Sequence, residues 1–300
     1  MPSREVGPPG RWRVADAPSA ATPEIADAPG APGPASVTWK LHCEVALLAG
    51  WGRAILLQLA HPLIAQGVAE HSAFAREPGS GVQRLHRTLE SMLALTFGTA
   101  EEAQRAVDRI NRIHDRVHGA LPARQGDFAA GTVYSAHDPA LLAWVHATLV
   151  DSFIITYERF VGALTGAERD RYCAEASRIE PQLGIPVGQL PRRHADLLAY
   201  VEAMLAGGAI SVGDTARAIA RDLLSPPLPW AARPLAPLLR LPTVGLLPPG
   251  IRDAYGLAWN PRRERALRRL TVATRLGLPL LPRPLRHWAA ARAALARQPG

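Results

Sequence analysis

Three segments, QLAHPLIAQGVAEHSAF (58–74), RLHRTLESML (84–93) and INRIHDRVHG (110–119), decide how the chain is read. Each is mostly apolar at helical spacing, and each carries polar residues that fall together on one side. On an α-helix, residues three and four apart share a face. That places Arg84 over Thr88 with Arg87 beside them, and it stacks His114 over His118. A polar stripe removed from water without a partner costs about a few kcal/mol, and an anionic, metal-bearing ligand would satisfy it. The expectation is a set of helices walling a buried cofactor pocket.

Working outward, residues 37–58 read as one apolar helix, with Pro62 marking the turn into the next. Residues 77–81 are loop, and a helix spans 82–97. Thr99 opens another, with Glu101 and Glu102 in the acid-favouring first turn, running on to Gly119. Residues 127–136 form a hairpin or strap. Asp138-Pro139 starts a long apolar helix, and Thr165 with Glu168 makes a capping box for the next. Helices follow over 193–206, 212–224, 252–255, 261–276 and 284–297, with the proline-rich 226–249 too interrupted for a long one. Strands are nearly absent, so the fold class is all-α: a single multi-helix domain over 37–300 behind an Ala/Pro-rich tail, 1–36, whose composition predicts disorder.

Three hundred residues at 48% hydrophobic content suffice for one large core. Cys43 and Cys173 are the only cysteines, which argues against a disulfide framework and for a reducing, cytoplasmic setting. The apolar run 43–60 is interrupted by Glu44, Arg53 and Gln58, and reads as a core helix and not a membrane span. The net charge of +8 is concentrated: residues 252–300 hold eleven arginines against Asp253 and Glu264. Within them, Arg262, Arg265 and Arg269 share one helix side. A solvated face is the plain reading; apolar neighbours around 235–247 and 276–281 favour peripheral contact with a membrane surface, and motifs for nucleic acid are lacking.

Among candidate site residues, His114 and His118 could ligate a metal as neutral imidazoles, or sit at a solvated helix C-terminus. HExxH and paired ExxH motifs are missing, as are the G-x-S-x-G elbow and a glycine-rich phosphate loop. His61 suits a helix-to-helix turn, His86 an exposed face, and His146 a core histidine bonded to a carbonyl. Glu70-His71-Ser72 is a polar cluster within apolar sequence.

Taken together, QLAHPLIAQGVAEHSAF, RLHRTL, FGTAEEA, IHDRVHG, YSAHDPALLAWVHATLVDS and TVGLLPPGIRDAYGLAWN resemble the DUF2236 family, related to mpaB-type oxygenases and latex-clearing rubber oxygenases, over residues 39–288. The resemblance implies an all-α protein holding haem b (iron) through a proximal histidine and cleaving carbon–carbon double bonds with dioxygen. It places Arg84 and Thr88 at the haem and His114 as proximal ligand, with His118 the alternative. Where the rubber oxygenases carry a lysine, this chain has Arg87, whose guanidinium offers no lone pair to iron; it suits a propionate or substrate instead. Glu70 and His71 are the nearest candidates for a distal proton-handling role. The function so implied is a haem-dependent oxygenase for small apolar, unsaturated substrates. Two other classes remain: a non-catalytic helical protein on anionic membranes, and a non-haem metalloenzyme using His114 and His118.

Overall fold

The computed structural model describes residues 32–71, 80–225 and 236–297. Most of the expected tail (1–31), the loop at 77–79 and the proline-rich segment 226–235 lie outside the described residues. Helix α1 (Val37–His42) is capped by Ser36, whose Oγ accepts from the Trp39 N–H. A 3-10 turn leads into α2 (Leu48–Leu59) and α3 (Pro62–His71), then α4 (Ser80–Phe97) and α5 (Ala100–His114). Thr99 and Glu102 complete a capping box on α5. Two short antiparallel strands follow, β1 (His118–Ala120) and β2 (Val133–Ser135). Asp138 caps α6 (Pro139–Phe160), and the Thr165–Glu168 box opens α7 (Gly166–Ala176). The chain continues through α8 (Glu180–Leu183), α9 (His194–Ala206), α10 (Asp214–Leu224), α11 (Ala236–Gly245) and α12 (Pro249–Ala254), and ends with α13 (Pro261–Gly277), α14 (Arg283–Arg286) and α15 (Ala289–Ala296).

The all-α domain is assembled around α6, which packs along α2. Gly50 makes the close approach possible: a Cβ there would stand 2.2 Å from Thr156 Oγ1. Along the same seam Arg53 and Asp151 form a buried ion pair at 2.7 Å, and Arg53 also donates to Ser152 Oγ and to the Leu246 carbonyl. Helix ends leave their last carbonyls without intrahelical partners. At the end of α2, Leu56 O accepts from the Ala60 N–H and also from Tyr255 Oη, and Leu57 O accepts from Trp144 Nε1. Helix α6 is long and apolar enough to cross a membrane, with mean hydropathy 1.4, yet 72% of that window is buried inside the protein. It is placed as a core helix.

Three expected helices differ from the structure. The expected helix 37–58 is broken at Cys43–Glu44, because Glu44 is drawn to the C-terminal segment: Arg286 binds both its carboxylate oxygens and its backbone bridges to His287. The same bridge splits 284–297 into α14 and α15. Helix α5 stops at His114 and does not reach Gly119, since the backbone turns at Asp115 and pairs His118 with Ser135 across the ribbon. The expected stacking of His114 over His118 on one helix face is therefore replaced by a helix end followed by a strand.

Candidate functional site

Glu70 and His71, the last two residues of α3, meet the ribbon. Glu70 accepts from Gln66 Nε2 at 2.6 Å and from the Tyr134 hydroxyl. Both bonds hold its carboxyl below the usual carboxylate range, Tyr134 contributing most, so it is ionised at neutral pH. His71 Nε2 lies 3.0 Å from the His118 carbonyl, which can only accept, so that nitrogen carries the proton. It is also 3.3 Å from Tyr134 Oη. The polar line thus runs from His71 through Tyr134 to Glu70. Burial, then Glu70, pushes the Tyr134 hydroxyl well above the ordinary phenol range, which keeps it a proton donor.

Small residues make room for this line. A Cβ at Gly119 would come within 2.7 Å of Tyr134 Oη and 3.1 Å of Glu70 Oε2. At Gly67 it would meet Val117 and the Tyr134 ring at 3.2 and 3.3 Å. Tyr134, 4% exposed, was not singled out from the sequence. Its partner sits 64 residues earlier, and the motif YSAHDP alone gives the tyrosine no role.

His114, the last residue of α5, is half-buried, and its Nδ1 is buried without a hydrogen-bond partner, as is Asn111 Oδ1 one turn earlier. The His137 ring stands edge-on to it at 5.7 Å, while His137 Nε2 pairs with Asp115 at 2.8 Å. Burial first, then His137, lowers the His114 pKa against an opposing pull from Asp115, so the imidazole is neutral near pH 7. Helices α4 and α5 are joined by the short Gly98–Thr99 turn and run antiparallel, Arg109 donating to Ser91 Oγ at 3.1 Å. Arg87 and Thr88 are exposed on α4; the Arg84 side chain lies outside the described residues.

A neutral, half-buried imidazole with an unpartnered nitrogen has the donor chemistry of a metal ligand. His118 is exposed on β1, its ring 6.3 Å from that of His71. Three further histidines, His61, His86 and His146, take the roles read from their sequence contexts. His61 Nδ1 accepts from the Leu63 N–H within the α2–α3 turn, His86 pairs with Glu90 in solvent, and His146 Nε2 meets the Ala176 carbonyl at 3.0 Å. Elsewhere, Cys43, Glu44 and His287 bring donor atoms within 4.8 Å of one another. Arg286 already occupies both Glu44 oxygens, so this group reads as a latch holding the C-terminal segment.

Comparison with curated proteins and with solved structures found no match. Residues 39–276 match the family described as ER-bound oxygenase mpaB/B'/Rubber oxygenase, catalytic domain, and the chain belongs to that family of oxygenase catalytic domains.

Proposed function

We propose that this protein is a haem b-dependent oxygenase acting with dioxygen on a small, apolar, unsaturated substrate. The observation that carries the cofactor assignment is His114: half-buried at the end of α5, with a buried Nδ1 that has no partner and an imidazole kept neutral by burial. His114 would hold the iron, with His118 the alternative ligand. Arg84, Arg87 and Thr88 would be the residues beside the haem, the guanidinium groups being suited to its carboxylates. When bound, haem supplies redox chemistry toward dioxygen, tuned by its axial ligand and by the polarity around it.

On the protein's side, Gln66 and Tyr134 fix the Glu70 carboxylate, and Tyr134 stands between Glu70 and His71. As His71 Nδ1 takes up a proton, its Nε2 proton can pass to Tyr134 Oη while the Tyr134 proton passes to Glu70, leaving the imidazole neutral. The chain therefore delivers or withdraws a proton at His71 without either partner leaving its hydrogen bonds. Two free, buried cysteines suit a cytoplasmic setting. The non-haem alternative loses support, because His114 and His118 no longer share a helix face.

Protein produced with haem supplementation should be red, with a Soret band that shifts on dithionite reduction and disappears in His114→Ala. Loss in His118→Ala with His114→Ala unaffected moves the ligand to the strand. A colourless, iron-free protein refutes the haem assignment.

A further inference from the structure

The C-terminal surface is unlike the rest of the molecule. On α13, Leu267 is buried, and the side opposite it carries Arg262, Arg265, Arg269, Val272 and Leu276, all exposed. Positions 265, 269, 272 and 276 follow the i, i+4, i+7, i+11 pattern of one helix face. The face is thus divided along its length, basic in its first half and apolar in its second. Leucines continue past the end of the helix: Leu276 is 70% exposed, Leu280 84% and Leu285 65%. Arg275 and Arg283 flank this apolar tip.

Two features separate the patch from an ordinary solvated face. Among the described residues, Arg262, Arg265, Arg269, Arg275 and Arg283 have no acidic partner. Of the two acids in 252–300, Glu264 is already taken by Arg268 and Trp259. The arginines therefore keep their full charge for an outside anion. Leu276, Leu280 and Leu285 beside them keep most of their apolar surface in water, and removing that surface from water is favourable. A surface that pairs clustered arginines with protruding leucines matches the boundary between anionic headgroups and acyl chains.

We infer that this face docks the protein on an anionic lipid bilayer, with the 276–285 tip entering the headgroup–acyl boundary and the α13 arginines lying over the charged surface. The inference stands apart from the haem assignment: either can fail without the other. A docked oxygenase would meet apolar substrates where they dissolve, in the membrane.

The test is vesicle flotation of the full chain, comparing phosphatidylcholine vesicles with vesicles that also contain phosphatidylglycerol. Binding is expected to require the anionic lipid and to weaken as salt shortens the screening length, about 10 Å at 0.1 M. Removing charge in Arg265→Gln/Arg269→Gln should weaken partitioning roughly thirtyfold, about fivefold per arginine. Leu280→Ser/Leu285→Ser should weaken it roughly tenfold while preserving the salt dependence. These side chains are exposed, so an unchanged circular-dichroism melt should accompany both variants. Equal binding to neutral vesicles, or a change under twofold in the arginine variant, overturns the proposal. So does equally tight binding of duplex DNA, or self-association abolished by the leucine changes with no vesicle binding, which makes the face a homotypic interface.

Discussion

Replacing Arg53 by methionine tests the seam on which the fold rests. The guanidinium makes three contacts at once: Nη2 to Asp151 at 2.7 Å, Nη1 to Ser152 Oγ at 2.7 Å, and Nε to the Leu246 carbonyl at 2.8 Å. Both charged side chains are under 5% exposed. Methionine can fill the volume of the aliphatic stem, so the loss is electrostatic and not a cavity. Stranding one partner of a buried pair costs about 3–5 kcal/mol, and the deserted Leu246 carbonyl adds about 1–3 kcal/mol. Against a total stability of about 5–15 kcal/mol, the variant should be marginal. Replacing both charges, in Arg53→Met/Asp151→Leu, should recover much of the loss, since apolar substitutes for a whole buried pair are often neutral. Urea unfolding followed by tryptophan fluorescence reads both effects as midpoint shifts. A single-variant loss under about 1 kcal/mol, or a double variant no better than the single, refutes the reasoning. The result also bears on α6: a helix held by this pair belongs to the core, whatever its hydropathy.

Acid should destabilise the protein through histidines kept neutral by burial. His42, His61 and His146 are each lowered to about 4. The unfolded chain then binds more protons than the folded one below about pH 6.5, so the stability present above that pH falls as pH drops toward 4. Each histidine costs about 2 kcal/mol at pH 5, and unfolding midpoints measured from pH 7.5 to 4.5 should fall accordingly; a flat profile contradicts the assignment. Gly50→Ala should lose about 1–3 kcal/mol by overpacking against Thr156, whereas Gly162→Ala, which meets nothing within 4 Å, should not. Tyr134→Phe removes the main donor to Glu70. With that bond gone the Glu70 carboxyl titrates higher, so the acid limb of oxygen consumption should move to higher pH; an unmoved limb takes Glu70 out of the proton path.

Local signals carried far where the controlling partner is close in sequence. Thr165 and Glu168 complete both halves of a capping box three residues apart, and His61 closes the turn before Pro62. The same locality set the errors. Nothing between Asp115 and Gly119 breaks a helix by propensity. The break is imposed from outside, by Ala136 N–H donating to the Val117 carbonyl and by the pairing of β1 with β2. At Glu44 the interrupting partner is Arg286, 242 residues away.

The candidate site was legible in the same uneven way. Glu70 and His71 stood out because polar residues are conspicuous in an apolar helix, while Tyr134 did not, because a tyrosine in a ribbon is ordinary until its partner is known. The ribbon that ended α5 early also carries Tyr134 to Glu70 and the His118 carbonyl to His71. Had α5 continued to Gly119, His118 would have stacked over His114 as a second imidazole and the ends of α3 would have lost their cover. The early stop separates the two histidines into different tasks. His114 is left as a lone neutral donor at a helix end, and residue 118 contributes its backbone to the proton path. What the early stop leaves is one unpartnered imidazole at a helix end and a bonded His–Tyr–Glu line where α3 meets the ribbon.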